Sequence, residues 1–166
     1  VGYQRKIDLK GIAGFGIIGG LMSGVIITAI NWGFNPFLPE EFQELSESIQ
    51  PNIAVRLLYG GITEEILMRF GLMTFVVWLG YKISRNWKNK IYWTGIILAA
   101  VIFAIAHFPI AYQALPQPSL TLLSYILLGN TIGGIIFGWL YWKKGLEAAF
   151  IGHMMAHLVM IALGAS

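Results

Sequence analysis

The stretch Tyr59-Gly-Gly-Ile-Thr-Glu-Glu-Ile-Leu-Met-Arg-Phe-Gly-Leu-Met73, continuing through Thr74-Phe-Val-Val-Trp-Leu79, decides how this chain is read. It is apolar enough to lie in a lipid bilayer, yet Glu64, Glu65 and Arg69 fall within six positions of one another. A charged side chain at mid-membrane costs roughly 2.5–3.5 kcal/mol on insertion scales. Three in one span point to a buried polar site rather than to packing. The alternative is an interhelical ion-pair cluster with no chemistry.

The rest of the chain supports a membrane setting. Of 166 residues, 57% are hydrophobic and 11% charged, against about 25% charged in soluble domains. Mean hydropathy is +0.69. A soluble core of this size has no room for so much apolar surface. Five apolar segments emerge, at about Ile12 to Phe34, Ile53 to Tyr81, Ile91 to Phe108, Leu120 to Trp142 and Leu146 to Leu163. Each is near the ~20 residues a helix needs to cross the hydrocarbon core. Lipid offers no partner to exposed backbone groups, so all five are expected to be helices. The expected fold is all-α: a single integral membrane domain over residues 1–166, with about five spanning helices. The first segment is too long for a signal peptide and lacks a small-residue cleavage site. The absence of cysteine excludes disulfides and thiolate-bound metal.

The basic residues alternate. Arg5, Lys6 and Lys10 precede the first span, Lys82, Arg85, Lys88 and Lys90 follow the second, and Lys143 and Lys144 follow the fourth. The opposite loop from Asn35 to Asn52 carries Glu40, Glu41, Glu44 and Glu47. The positive-inside rule then places the N-terminus in the cytoplasm of a multi-pass protein, in the cell inner membrane. The net charge of +3 suits headgroups and topology rather than nucleic acid. Pro39 to Ile49 reads as a short external amphipathic helix, with Phe42, Leu45 and Ile49 on one face. Trp78, Trp87, Trp93, Trp139, Tyr141 and Trp142 fit an interfacial aromatic belt. Gly16, Gly20 and Gly24, Gly129 with Gly133, and Gly134 with Gly138 have small-xxx-small spacing, which predicts close helix packing within the bundle.

Polar residues inside the spans carry the chemistry. Glu65 and Arg69 are four apart and can pair on one helix face, which leaves Glu64 turned away and free to meet a cavity. The third span ends in Phe103-Ala-Ile-Ala-His107. His107 lies about 16 residues from the cytoplasmic end of its span and Glu64 about 17 from the end of its own, so the two are expected at one depth. The fifth span gives His153-Met-Met-Ala-His157, two imidazoles on one face. The spacing is that of a zincin, but Met154 stands where the catalytic Glu would be. On straight helices His153 falls nearer the cytoplasm than Glu64, and His157 matches its depth better. Ser124 and Asn130 read as interhelical hydrogen bonders. The chain shows no Ser-His-Asp triad, cysteine nucleophile, aspartyl dyad or phosphate loop.

The ordered set Glu64-Glu65-x-x-x-Arg69, Phe103-x-x-x-His107 and His153-x-x-x-His157 resembles the CPBP family, the CAAX proteases and bacteriocin-processing intramembrane proteins also called Abi. The resemblance runs from about Gly60 to Leu158 and includes the type II CAAX prenyl endopeptidases, which remove three residues from prenylated C-termini. It implies an intramembrane endopeptidase acting on a peptide or protein substrate at the lipid bilayer. Carried over by position, Glu64 is the general base, His107 holds the same water, His153 donates to the oxyanion, and Glu65 and Arg69 orient the site. His157 departs from the pattern, since the family usually has Asn or Asp there. A neutral imidazole donates one hydrogen bond, as an amide can, but unlike an amide it titrates. Two other readings stay open. One is a zinc-dependent peptidase using Glu64, His107, His153 and His157, where the first reading requires no cofactor. The other is a non-catalytic immunity or scaffold protein. Neither the substrate sequence nor the oligomeric state can be read from the residues.

Overall fold

The computed structural model describes residues 8–49, 52–84 and 88–164. Arg5, Lys6, Arg85 and Trp87 lie outside these residues. All regular structure among the described residues is helical. Helix α1 is Leu9–Phe34, opened by the Asp8 carboxylate, which accepts from the Gly11 N–H at 2.9 Å. A single 3₁₀ turn at Asn35–Phe37 leads to the short α2, Glu40–Ser48. Helix α3 is Ile53–Ile83, capped by Asn52. Next come α4, Lys88–Ile105, and α5, Phe108–Ala114. Ser119 caps α6, Leu120–Lys144, and α7 is Leu146–Ala162.

Four helical stretches are long and apolar enough to cross a membrane: Leu9–Phe37, Ile53–Ile83, Asn89–Ala114 and Leu120–Lys144. The fifth expected span, α7, has 17 residues, about 25 Å at 1.5 Å per residue. It starts directly after the turn that closes α6 and ends at Ala162. That turn is Gly145, at φ 94° and ψ 178°, a region essentially reserved for glycine.

The bundle is apolar outside and polar inside. Ile18, Leu67, Phe70 and Phe75 are more than half exposed, while Glu65 and Arg69 are fully buried. This is the distribution expected of a helix bundle solvated by lipid. Close packing comes from small residues. Helix α1 lies along α7, and Gly16 and Gly24 face the Ala148 carbonyl and Val159 so closely that an added Cβ would sit within 2.8 and 2.6 Å of them. Gly134 meets Ala100 of α4 in the same way, at 2.8 Å. The small-residue spacing thus serves contacts inside the bundle, as expected. Gly129 is the exception: it is buried, yet no atom lies within 4 Å of its would-be Cβ, because it faces a cavity.

Helix α2 is short, as expected, but the three apolar residues expected on one face do not share one environment: Phe42 is buried, Leu45 half-buried and Ile49 exposed. Phe42 is buried with Leu38, Ala111, Leu122 and Ile126, its ring 6.2 Å from that of Tyr125. The helix is pinned across the end of the bundle by one aromatic side chain. At the opposite end, Lys82 and Lys143 lie over the rings of Trp78 and Trp142, at 4.4 and 3.4 Å, a basic and aromatic fringe suited to an interface.

Candidate active site

Helix α3 is not a regular α-helix. Between Ile53–Val55 and Thr74–Ile83 it runs as two π-helical stretches, Arg56–Glu64 and Ile66–Met73. Two threonine hydroxyls follow this wide register, Thr63 to the Leu58 carbonyl and Thr74 to the Arg69 carbonyl, each five residues back. The buried positions Gly60, Gly61, Glu65, Arg69 and Met73 recur every four to five residues. An i→i+5 helix holds such a series on one face, whereas a 3.6-residue turn would let it drift.

Glu65 and Arg69 pair on that face, with Arg69 Nε 3.0 Å from Glu65 Oε2 and both side chains excluded from solvent. Arg69 Nη2 reaches Glu65 Oε1 at 3.4 Å, and the guanidinium lies 5.7 Å from the centre of the Phe103 ring. Glu64 projects the other way and keeps 18% of its side chain exposed. One carboxylate is therefore sequestered with its counter-charge while its neighbour faces open space.

His107 sits where α4 breaks. The Ala106 N–H still bonds the Ile102 carbonyl at 2.9 Å, but the His107 N–H bonds Ala104, only three residues back. The Phe103 carbonyl loses its usual backbone donor and accepts from His107 Nδ1 instead, at 2.8 Å. A carbonyl only accepts, so Nδ1 carries the proton and Nε2 presents its lone pair. That Nε2 is 3.9 Å from Glu64 Oε1. Pro109, in the first turn of α5, has no N–H to restore the helix.

His153 comes from α7. Its Nδ1 donates to Glu65 Oε1 at 3.0 Å, and its Nε2 is 3.9 Å from Glu64 Oε2. The ring is clamped between Phe137 and His157, with centroids 4.4 and 5.0 Å away and planes nearly parallel to both. Glu64 thus stands between two imidazole Nε2 atoms. His153 comes as close as His107 does, against the expected mismatch in depth. A π-helix advances less per residue than an α-helix, so a count at 1.5 Å per residue places Glu64 too far from the cytoplasmic end.

His157 stands one turn beyond His153. Its Nε2 packs on Gly60, 2.6 Å from where a Cβ would be, and its Nδ1 is buried without a protein partner. Only glycine at position 60 lets the two helices meet over this ring. With Nε2 turned to Gly60, the four residues of the zinc reading do not form a ligand set. Among the described residues no group of three or more His, Asp or Glu side chains is placed to hold a metal ion.

Glu64, His107, His153 and His157 line a cavity of about 330 Å³ whose remaining walls are mainly apolar. That volume lies at the lower end of the range for small-ligand pockets. Asn130 lines it too, and does not bond across helices as expected: its Nδ2 donates to the Ile126 carbonyl of its own helix at 2.8 Å. Sequence reasoning missed Arg56 and Tyr59, which also reach the cavity wall. For Arg56 the signal was the spacing of four that links it with Gly60 and Glu64 along α3; for Tyr59 there was none.

Comparison with known proteins identifies the family. A family model described as type II CAAX prenyl endopeptidase Rce1-like matches residues 47–159, which include every side chain placed around Glu64. No curated protein and no solved structure matches the chain. The matched span covers well over half of the sequence and carries the paired glutamates, the helix-breaking histidine and the α7 histidines: the chain belongs to the Rce1-like family of type II CAAX prenyl endopeptidases.

Proposed function

We propose that this member of a membrane protease family hydrolyses a peptide bond with a water activated by Glu64. One observation carries the reading: Glu64 stands 3.9 Å from the Nε2 atoms of both His107 and His153, while its neighbour Glu65 is neutralised by Arg69. Two acceptors 3.9 Å apart can share a water at about 2.8 Å from each. Such a water donates one hydrogen to Glu64 and one to the His107 lone pair, which leaves its own lone pair free for attack. As the water oxygen bonds to the carbonyl carbon, its proton passes to Glu64. The tetrahedral oxyanion accepts from His153 Nε2–H. Glu64 then gives its proton to the departing amine as the C–N bond breaks, so the products are a carboxylic acid and an amine, which exchange a proton to become carboxylate and ammonium.

Donation from Nε2 while Nδ1 donates to Glu65 uses both ring N–H groups of His153. Glu65 fixes the ring through Nδ1 and Arg69 fixes Glu65, which makes both positioning residues. The family implies a peptide prenylated near its C-terminus as substrate. The Lys and Arg distribution puts the N-terminus in the cytoplasm.

The test is cleavage of an internally quenched peptide, carrying a prenylated cysteine four residues from its C-terminus, by the protein in liposomes. Glu64→Gln should fold normally and lose cleavage; retained cleavage overturns the mechanism. No metal enters these steps. Stoichiometric zinc in the purified protein, removed by chelator in parallel with activity, would favour the zinc-dependent reading. Full biological effect from the Glu64→Gln protein would favour the scaffold or immunity reading.

A further inference from the structure

We infer that Asn130 is a positioning residue that grips the substrate backbone, an inference that rests on the peptidase reading above. Asn130 lies on α6, in the wall of the cavity that holds Glu64, His107 and His153. One N–H of its amide is committed to the Ile126 carbonyl at 2.8 Å. That carbonyl can only accept, so the orientation of the amide is fixed by chemistry. The carbonyl oxygen of Asn130 and its second N–H make no other protein hydrogen bond among those described. One acceptor beside one donor is the complement of a peptide unit, which offers N–H and C=O.

The placement fits that role. Helices α4 and α6 pack closely where Gly134 meets Ala100 and Gly138 meets Ile96. The pairing is antiparallel, so four residues further along, about 6 Å, Asn130 comes level with Ala104, within a turn of the break that presents His107. Beside Asn130, buried Gly129 has no atom within 4 Å of its would-be Cβ. The cavity is therefore open next to the amide. A peptide entering this mainly apolar space sheds its hydration, and a polar group buried without a partner costs about 1–3 kcal/mol. Asn130 offers the entering backbone a partner on the α6 wall of the cavity that Glu64 also lines. The amide that the family usually carries at position 157 is missing here, and Asn130 brings an amide into the same cavity from another helix.

The experiment measures binding and turnover separately. The inert Glu64→Gln protein is titrated with the prenylated peptide and with analogues N-methylated at one amide each. We expect one N-methyl position to weaken binding roughly 10- to 100-fold more than its neighbours do, and Asn130→Ala to abolish that sensitivity. In the otherwise native protein, Asn130→Ala should raise KM by a similar factor with kcat less affected, and Asn130→Ser should recover part of the loss. Equal KM and unchanged N-methyl sensitivity in Asn130→Ala overturn the inference while the peptidase reading stands. If Asn130→Ala does not fold, a flat N-methyl profile on the Glu64→Gln protein is the refuting result. Cleavage by Glu64→Gln overturns the mechanism alone, because binding to a further inert variant, His107→Ala, still judges Asn130. Failure of every variant to bind any peptide overturns both.

Discussion

Replacing Arg69 by Met removes the guanidinium paired with Glu65 and leaves a carboxylate sealed from solvent. At 3.0 Å two unit charges attract by about 5–6 kcal/mol if the effective dielectric constant is about 20. Burial of both groups offsets much of that gain in the intact pair, but the variant keeps the cost and loses the attraction. Breaking a buried pair from one side costs about 3–5 kcal/mol, and the lower half of that range fits here because His153 still donates to Glu65. The assay is reversible unfolding in mixed micelles with rising SDS fraction. Arg69→Met should cost about 3 kcal/mol, and Glu65→Leu combined with Arg69→Met should cost clearly less than the sum of the two single changes, since no orphaned charge remains. A single-variant cost below about 1 kcal/mol, or a strictly additive double variant, would refute the claim that the pair is a sealed electrostatic unit. Activity should fall in both variants: the double variant frees the His153 ring, and Arg69→Met leaves the carboxylate that orients it without its own anchor.

Further changes test other parts of the structure. Gly145→Ala forces a Cβ into a backbone region kept for glycine, and should cost about 1–3 kcal/mol in the same unfolding assay. Gly24→Leu should separate α1 from α7 at Val159 and fail to accumulate as folded protein, measured by monodispersity in detergent. His107→Ala should lower kcat by about 10²–10⁴-fold with little change in unfolding, since the ring is about a third exposed. Gly60→Ala should displace the His157 ring and lower cleavage, while the same change at Gly14, which has open space around it, should be silent.

The span pattern was legible because lipid imposes it: runs of apolar residues of fixed length can hardly be anything but helices. The division between Glu64 and Glu65 was legible too, since a spacing of four ties Arg69 to one carboxylate only. The meeting of Glu64 with His153 was not. It depends on a helix wider than 3.6 residues per turn, and neither composition nor hydropathy reports a π register. The clue lay in positions 60, 65, 69 and 73, whose spacing exceeds that of an α-helix. The inward turn of Phe42 was hidden for another reason: an amphipathic helix shows which face is apolar, but not whether lipid or protein covers it. Asn130 was misread because a polar residue in a span can bond its own helix as easily as a neighbouring one.

The exchange of donors at the Phe103 carbonyl makes the proton position on His107 a property of helix regularity. If the turn between Ala104 and Pro109 widened from its three-residue closure so that the His107 backbone N–H reclaimed that carbonyl, Nδ1 would lose its acceptor and the ring would be free to move its proton to Nε2. The imidazole would then donate towards the reacting water instead of accepting from it. A more perfect helix would be an inactive one, and whatever keeps α4 broken, Pro109 first among them, keeps the site in its working state.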